Sequence, residues 1–510
     1  MNRLSRRDFL NFGMKLFELS LASRLILKVP KKRKTSNLPN IVVLVCDAMS
    51  AKNLSLYGYA RKTTPSLEKL ANQAFVYHNH HSNANFTSPG TSSLLTGLSP
   101  WTHRAINMSG KVADKFSQHN IFHFLENDYF KLAYGQNLWA SYLLDQFSSD
   151  IDVLLPLSEF GLTNGGSLNQ KLKKDFLVGN HALENMLFDA NSLLLSFVYG
   201  LYNQTRTSLV PPSENYPNGL PVAYFYDLAY TMEILFNGIA NQISELDKQE
   251  SPFFSYFHIY PPHEPYVPHV DFAGMFDKDN YQAIVKPEHV LSHGVQQQSH
   301  DYARKNYDAF IANVDMEIGR LIEKLKAQGV LEHTYFIITS DHGEMFERGT
   351  NGHVTPLLYE PVIRIPLMIL VPGNQIRQDF FTLTSNIDLM PTILSIAQKE
   401  IPLSCEGEIL PGLGGVDNPD RSVISMDAKE SSAKISFTKA TYTIIKKNHK
   451  LIYYKDYNHH YKRGFEFYDI LEDPEELQDE YSNPRFTSII SNLKEELFIA
   501  MKKANESLSS

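Results

Sequence analysis

The sequence predicts an α/β protein: a doubly wound, mixed but mainly parallel sheet sandwiched by helices, with a smaller antiparallel sheet near the C-terminus. Three observations predict it. Apolar runs of strand length recur along the chain, and several end abruptly in polar residues, as buried parallel strands do. Stretches of helical periodicity fill the intervals between them, the alternation that builds a sheet covered on both faces. After about Cys405 the pattern changes to paired strand-like stretches without intervening helices.

In chain order, the first strand is NIVVLVCD (Asn40 to Asp47), a continuous apolar run closed by an acid. TPSLEKLANQAFVY (Thr64 to Tyr77) starts as a helix on Thr-Pro, with Leu67, Leu70, Ala71 and Ala74 at helical spacing, and shades into a strand. In NFTSPGTSSLLTG (Asn85 to Gly97) a loop delivers Thr87 to a helix start, since proline is tolerated in a first turn and a hydroxyl residue favours the position before it. The stretch from about Gly110 to Pro221 is aromatic and rich in Asn and Ser, and is read only as helices and loops that shape a pocket. Tyr230 to Leu246 is a helix and Pro252 to Tyr260 a strand. Asn306 to Gly329 is a strongly periodic helix stopped by its glycine. Thr334 to Gly343 and Pro366 to Gly373 are further strands. YTIIKKNHKLIYY and FEFYDI form hairpin strands, and Leu493 to Lys503 is a closing helix. The implied organisation is an N-terminal segment over residues 1–38, a catalytic α/β domain over 39–404, and a smaller C-terminal α+β subdomain over 405–510.

Composition bounds the function. A formal charge of −8 argues against general nucleic-acid binding, which needs a basic surface, but leaves room for a local pocket for a small anion. Cys46 and Cys405 are the only cysteines, so neither a disulfide framework nor a cysteine zinc cluster is implied. No stretch has the ~18 consecutive apolar residues that cross a bilayer. The N-terminal segment admits three readings. SRRDFL (Ser5 to Leu10) looks like a twin-arginine export signal, which would place the protein in the periplasm or outside. Lys15, Glu18, Arg24 and Lys28 interrupt the apolar stretch such a signal needs, while Asp8, Asn11, Lys15 and Glu18 at spacings of three and four, with the basic run KKRK (Lys31 to Lys34) further on, fit an amphipathic helix on an anionic membrane surface. A helix packed on its own domain, in a cytoplasmic protein, is the third.

Three places carry groups that could converge at the carboxyl edge of one sheet: Asp47, Thr87, and the pair Asp341-His342. Carboxylate and imidazole ligands together suit zinc or manganese, while carboxylates alone would suit calcium or magnesium. Threonine is a weak nucleophile at neutral pH, and metal coordination is one way to activate it. Taken singly, each residue has a bland reading: a strand-end acid as surface charge, Thr87 as a helix cap. Their combination favours one or two divalent cations, zinc or manganese ahead of calcium or magnesium.

TSPGT with the following LLTG resembles the sulfatase signature, in which Cys or Ser, any residue, Pro, any residue and Arg precede a Leu-rich turn ending in Thr-Gly. YGYARKTTPSLEKLA, PFFSYFHIYPPHEPY, VDMEIGRLIEKLKAQGVLEHTYFIITSDHGE, GHVTPLLYEPVIRIPLMILVPG, NIDLMPTILSIA and FEFYDILEDPEELQDEY are similar to further blocks of that family, in order from about Asn40 to Asn483. The resemblance is to the sulfatases and their relatives in the alkaline-phosphatase superfamily, and it implies the alkaline-phosphatase-like version of the fold above.

Two departures redirect the expected chemistry. Sulfatases oxidise the signature Cys or Ser to formylglycine, whereas position 87 is threonine and Thr91 stands where the signature has its arginine. The usual pair of acids after the first strand is reduced to Asp47 followed by Ala48, and Asp341-His342 replaces the Asp-Asn of many calcium-dependent sulfatases. These changes resemble the superfamily's phosphotransferases and phosphodiesterases, which use a threonine nucleophile and a divalent metal. The resemblance implies Asp47, Asp341 and His342 as metal ligands and Thr87 as the nucleophile. His263 in PPHEPY and His353 in NGHV become candidates for substrate binding or leaving-group protonation, with His353 as a possible extra ligand and His103 as a weaker candidate. His78, His80 and His81 read as a partly exposed strand and are set aside. The expected substrate is a small anionic ester linked to a lipid, glycan or small molecule, with no nucleic acid. Cleavage or transfer of a phosphodiester or phosphonate ester leads. A sulfatase without formylglycine and an inactive binding protein are the alternatives.

Overall fold

The computed structural model describes residues 38–162, 213–223, 228–249, 251–457, 461 and 464–506. The N-terminal segment that carries the export and membrane readings lies outside the described residues, as does the larger part of 163–227. Eight strands form the main sheet: β1 (Asn40–Cys46), β2 (Ala74–Tyr77), β3 (Phe130–Gly135), β4 (Val153–Leu154), β5 (Phe253–Ile259), β6 (Thr334–Thr339), β7 (Leu367–Leu370) and β8 (Gln378–Phe380). Their order is β8-β2-β7-β6-β1-β5-β3-β4. All neighbours pair in parallel except β7, which runs against both β2 and β6. The sheet is mixed and mainly parallel, as the sequence predicts.

Strand β1 shows why the fold follows from the sequence. Every one of its residues is buried, and alternate side chains enter different cores. Val42, Leu44 and Cys46 pack with residues of α1 (Pro65–Ala71), α4 (Met232–Asp247) and α5 (Gln297–Ala327). Ile41, Val43 and Val45 pack on the other face with α2 (Thr87–Thr96), α3 (Leu138–Gln146) and α6 (Leu389–Ile396). A strand that is apolar on both faces has no solvent side to give, so helices cover both. Helix α4 begins where Thr231 accepts a hydrogen bond from the Ile234 N–H, an N-cap in the expected place. Helix α5 starts nine residues before the predicted Asn306, because its first turns, QQSHDYARK, are polar and carry no apolar period.

Beyond the main sheet, β9 (Ser422–Asp427), β10 (Ala440–Lys446), β11 (His449–Lys455) and β12 (Phe465–Asp469) make a fully antiparallel sheet in that order. Its core closes on α7 (Thr487–Glu506) through residues such as Ile444, Phe467, Ile490 and Leu497. This sheet is joined to the site-bearing loops. The Met426 N–H donates to the Asn83 carbonyl at 2.9 Å and Ser425 Oγ to the Ser82 carbonyl at 2.5 Å. Lys450 is fully buried between Glu360 at 3.0 Å and Glu476 at 2.7 Å, a pairing that offsets the desolvation of its charge. Among the described residues no helix is long and apolar enough to cross a membrane.

Candidate active site

Strands β1, β3, β5 and β6 are parallel neighbours, so their carboxyl ends lie along one edge, where ligands of open α/β sheets bind. Asp47 directly follows β1, Asp341 and His342 follow β6, His258 is the penultimate residue of β5, and Asn137 follows β3. Register sets their relative height: Val45 pairs with His258 on one side and Thr339 on the other, and Gly135 pairs with His258. Ala48, where the family's second acid stands, is fully buried at φ 60°. Its N–H donates to Asp341 Oδ1 at 3.3 Å and its carbonyl accepts from the Tyr307 hydroxyl at 2.6 Å. These bonds hold a conformation that L-residues avoid.

Thr87 is the first residue of α2, not its cap. The cap position belongs to Phe86, which has no side-chain acceptor. Thr87 Oγ1 instead lies 3.4 Å from His342 Nε2 and accepts from Asn137 Nδ2 at 3.3 Å. Gly90 allows this placement, because a Cβ there would sit 2.4 Å from the Asp341 carbonyl oxygen. We therefore expect Gly90→Ala to push α2 away from Asp341, at about 1–3 kcal/mol of stability. Turnover should fall with it, because Thr87 rides on the same first turn. Urea unfolding and kcat measured on one preparation test this, and an unchanged kcat would contradict the close-packing argument.

Asp47, Asp341 and His342 each offer one ligand atom, all within 4.8 Å of one another and all buried. Asp47 Oδ1 and Asp341 Oδ2 are buried without a hydrogen-bond partner, a costly state for a carboxylate oxygen unless a cation meets it. His342 Nδ1 is 2.9 Å from the Gly343 carbonyl. That bond places the ring proton on Nδ1 and leaves the neutral Nε2 lone pair facing the carboxylates. Its distance to Asp47 Oδ1 is 3.3 Å and to Asp341 Oδ2 3.5 Å. This donor set fits a divalent cation. Electrostatics agree. Burial and the Asp47 charge raise Asp341. Burial would raise Asp47 too, but the His263, His258 and His342 imidazoles hold it well below the usual carboxylate range. Burial disfavours a charged His342, yet the two carboxylates push it up to about 9. Without a cation, the cluster holds a proton at this nitrogen.

The remaining candidates divide. His353 lies beside the cluster, its ring centroid 4.2 Å from that of His342 and 4.9 Å from that of His263, so these three come together. His353 Nδ1 is 3.1 Å from a carboxyl oxygen of Glu344. Burial pushes the Glu344 carboxyl well above its usual range, and burial holds the His353 imidazole well below its own. His263 Nδ1 is 2.8 Å from the Glu264 carbonyl. His103 is elsewhere in function: it is fully buried, 3.1 Å from Ser93 Oγ, and burial lowers it to about 3. His80 and His81 are buried rather than partly exposed, bonded to Thr384 and Glu360.

Three neighbours escape the sequence reading. Asn137 donates to Asp47 Oδ2 at 2.5 Å as well as to Thr87. His258 Nε2 lies 3.3 Å from Asp47 Oδ2 and 3.6 Å from Asp341 Oδ2. Its Nδ1 faces Tyr256 Oη at 3.2 Å and Thr91 Oγ1 at 3.4 Å. Thr91, at the signature's arginine position, therefore serves to position an imidazole. Glu344 follows the Asp-His-Gly stretch directly. The available signal for His258 and Asn137 was a polar residue at the carboxyl end of a strand, the criterion that singled out Asp47.

With this geometry, the comparisons with known proteins are informative. The family described as Sulfatase matches residues 39–399, and the one described as N-sulphoglucosamine sulphohydrolase, C-terminal, matches residues 354–503. An arylsulfatase of Clostridium perfringens is 22% identical over 500 residues, covering 92% of this chain and 95% of its own length. A multifunctional alkaline phosphatase superfamily protein of Trinickia caryophylli is 22% identical over 474 residues, covering 84% and 87%. Among solved structures, a phosphonate monoester hydrolase from Silicibacter pomeroyi shares the fold with a TM-score of 0.67 at 17% identity, over 92% of this chain and 97% of that one.

Proposed function

The chain belongs to the sulfatase family of hydrolases, and on that premise we propose that it cleaves or transfers a phosphoryl group of a small anionic ester, a phosphodiester or phosphonate monoester, using Thr87 as nucleophile. One observation carries this reading: a buried threonine hydroxyl, free of any capping role, faces His342 Nε2 and the Asn137 amide within the Asp47–Asp341–His342 cluster. Those three residues would hold a divalent cation, zinc or manganese by the O,O,N donor set. Such a cation lowers the pKa of a nearby hydroxyl and polarises an ester oxygen.

The protein's own groups supply the rest. Thr87 gives up its hydroxyl proton as Oγ1 bonds to phosphorus and the bond to the leaving oxygen breaks, that oxygen taking up a proton as it departs as an alcohol. Water, or an acceptor alcohol, then attacks phosphorus, the Oγ1–P bond breaks, and the threonine hydroxyl is restored. The Asn137 amide donates to Thr87 Oγ1 and steadies charge that grows there. The amino end of α2 favours the transferring anion. His353, held by Glu344 at 3.1 Å, is the group we assign as donor to the substrate. His263 stands next to it at the outer side.

A sulfuric ester substrate is the second reading, favoured by the arylsulfatase relative. Rates on nitrophenyl phosphate, a bis-nitrophenyl phosphodiester, a phenylphosphonate ester and nitrophenyl sulfate separate the two. We expect kcat/KM for the phosphorus esters to exceed that for the sulfate by roughly 100-fold, about 2.7 kcal/mol of transition-state discrimination. A sulfate ester preferred over all three would overturn the phosphoryl assignment. The twin-arginine-like stretch supports export, testable by cell fractionation.

A further inference from the structure

A second polar cavity, of about 300 Å³, lies apart from the catalytic groups; none of Asp47, Thr87, Asp341, His342, His263 or His353 lines it. Its walls come from the loop around Ala51 to Ala60, the segment Tyr281 to Lys286, helix α5 through Arg304, and the stretch Glu344 to Glu347 with Arg364 and Glu475. Its charges do not cancel. Lys52 pairs with Glu475 at 2.8 Å, and Lys286 pairs with Glu347 at 2.9 Å and Glu475 at 3.0 Å. Glu344 is turned to His353. Two acids are thereby matched to two lysines. Arg304 and Arg364 remain, and among the described residues neither has a carboxylate partner. Arg304 Nη2 donates to the Phe346 carbonyl at 2.5 Å, and Arg364 donates through Nε and Nη2 to the His78 carbonyl at 3.1 and 2.8 Å. Among the described residues, Arg304 Nε is buried without a hydrogen-bond partner.

An arginine with an unpartnered donor, beside a cavity lined by four cations and three carboxylates, is complemented by an oxyanion, which accepts in the plane of the fork. The cavity is too large for a bare ion, at the lower end of small-ligand sites. Tyr59 and Tyr281, edge to face at 5.3 Å, and Phe346 supply apolar ring faces beside the cations. We propose that this cavity is a second ligand site, taking a small organic oxyanion with a ring body. It is separate from the ester that reacts at Thr87 and goes beyond the proposed hydrolysis. The site shares one wall residue with the catalytic centre, since Glu344 lines the cavity and holds His353.

The test uses the full chain. Crystals soaked in sodium selenate should give an anomalous peak in the cavity within hydrogen-bond reach of Arg304, besides any peak beside Thr87. Calorimetry with benzoate should show an affinity that falls about tenfold in Arg304→Gln, the loss of one charge-assisted bond, and is unmoved in Thr87→Ala. Selenate found only beside Thr87, or benzoate affinity equal in wild type and Arg304→Gln, overturns the proposal. Should Arg304→Gln fail to fold, the wild-type anomalous map decides alone. Because the peaks are read separately, the cavity site can fail while the Thr87 chemistry stands, and the reverse.

Discussion

Thr87→Ala is expected to lower kcat by roughly 10³- to 10⁶-fold on every phosphorus ester, the range seen when a nucleophile is removed. The size follows from the placement. Thr87 has no capping role to lose, and its side chain is buried against His342 and Asn137. Alanine deletes one hydroxyl and leaves the helix intact, so stability should change little while chemistry collapses. Thr87→Ser keeps an oxygen in the same place and should retain measurable turnover, weakened by the freer rotation of a side chain without the β-branch. Quenching wild type during turnover should leave a phosphoryl adduct on the tryptic peptide Leu70–Arg104. Full activity in Thr87→Ala, above all on sulfate esters, would sink the nucleophile assignment. An absent adduct with normal turnover would point to direct attack by water.

Removing the cation should be as damaging, and its signature is distinct. Dialysis against a chelator is expected to abolish turnover, and zinc or manganese to restore it. Asp341→Asn should bind less than a tenth of the wild-type metal. Asp341 Oδ1 keeps its two backbone donors, Ala48 N–H and His342 N–H, so the asparagine can hold the same pose. What changes is the unpartnered Oδ2, which becomes an NH₂ that cannot ligate. Stability then moves in opposite directions with and without metal. In the metal-free state Asp47 and Asp341 are buried like charges, and Asp341 is raised by burial and by Asp47, so the asparagine variant should unfold at higher temperature than wild type. With metal present, only wild type gains the linkage term of about 2.7 kcal/mol at a hundredfold excess over Kd. His342, pushed up to about 9 in the metal-free protein, must lose a proton to ligate. Metal affinity should therefore weaken as pH falls below that value, with proton release seen in buffers of different ionisation heat. A metal-free enzyme at full activity, or a variant that binds metal as tightly as wild type, would refute the centre.

Much of this was legible in the sequence. Both-face burial of β1 is written in NIVVLVC, because a run of β-formers without a polar position leaves no solvent side. The cluster residues Asp47, Asp341 and His342 were legible for the same reason, since each is a polar group that breaks an apolar strand at its carboxyl end. Periodicity fixed α4 and the later turns of α5, where an apolar stripe faces the core, but not the polar first turns of α5. The antiparallel course of β7 was not readable either, because four apolar residues look alike in both directions.

Tertiary structure alone decided the rest. That Thr87 is not a cap depends on where Phe86 falls relative to the first helical turn, and propensity cannot place an element end within a residue. His258 and Asn137 join the site because β5 pairs with β1 and β3 pairs with β5 in register, pairings across more than 80 residues that no local pattern encodes. Glu344 holds His353, and among the described residues two arginines beside a cavity have no carboxylate within ion-pair reach, for the same reason. Local sequence specifies which face of an element is apolar and where it ends. Which polar ends meet, and which charges remain unmatched, follows only from the strand order and register that bring distant segments together.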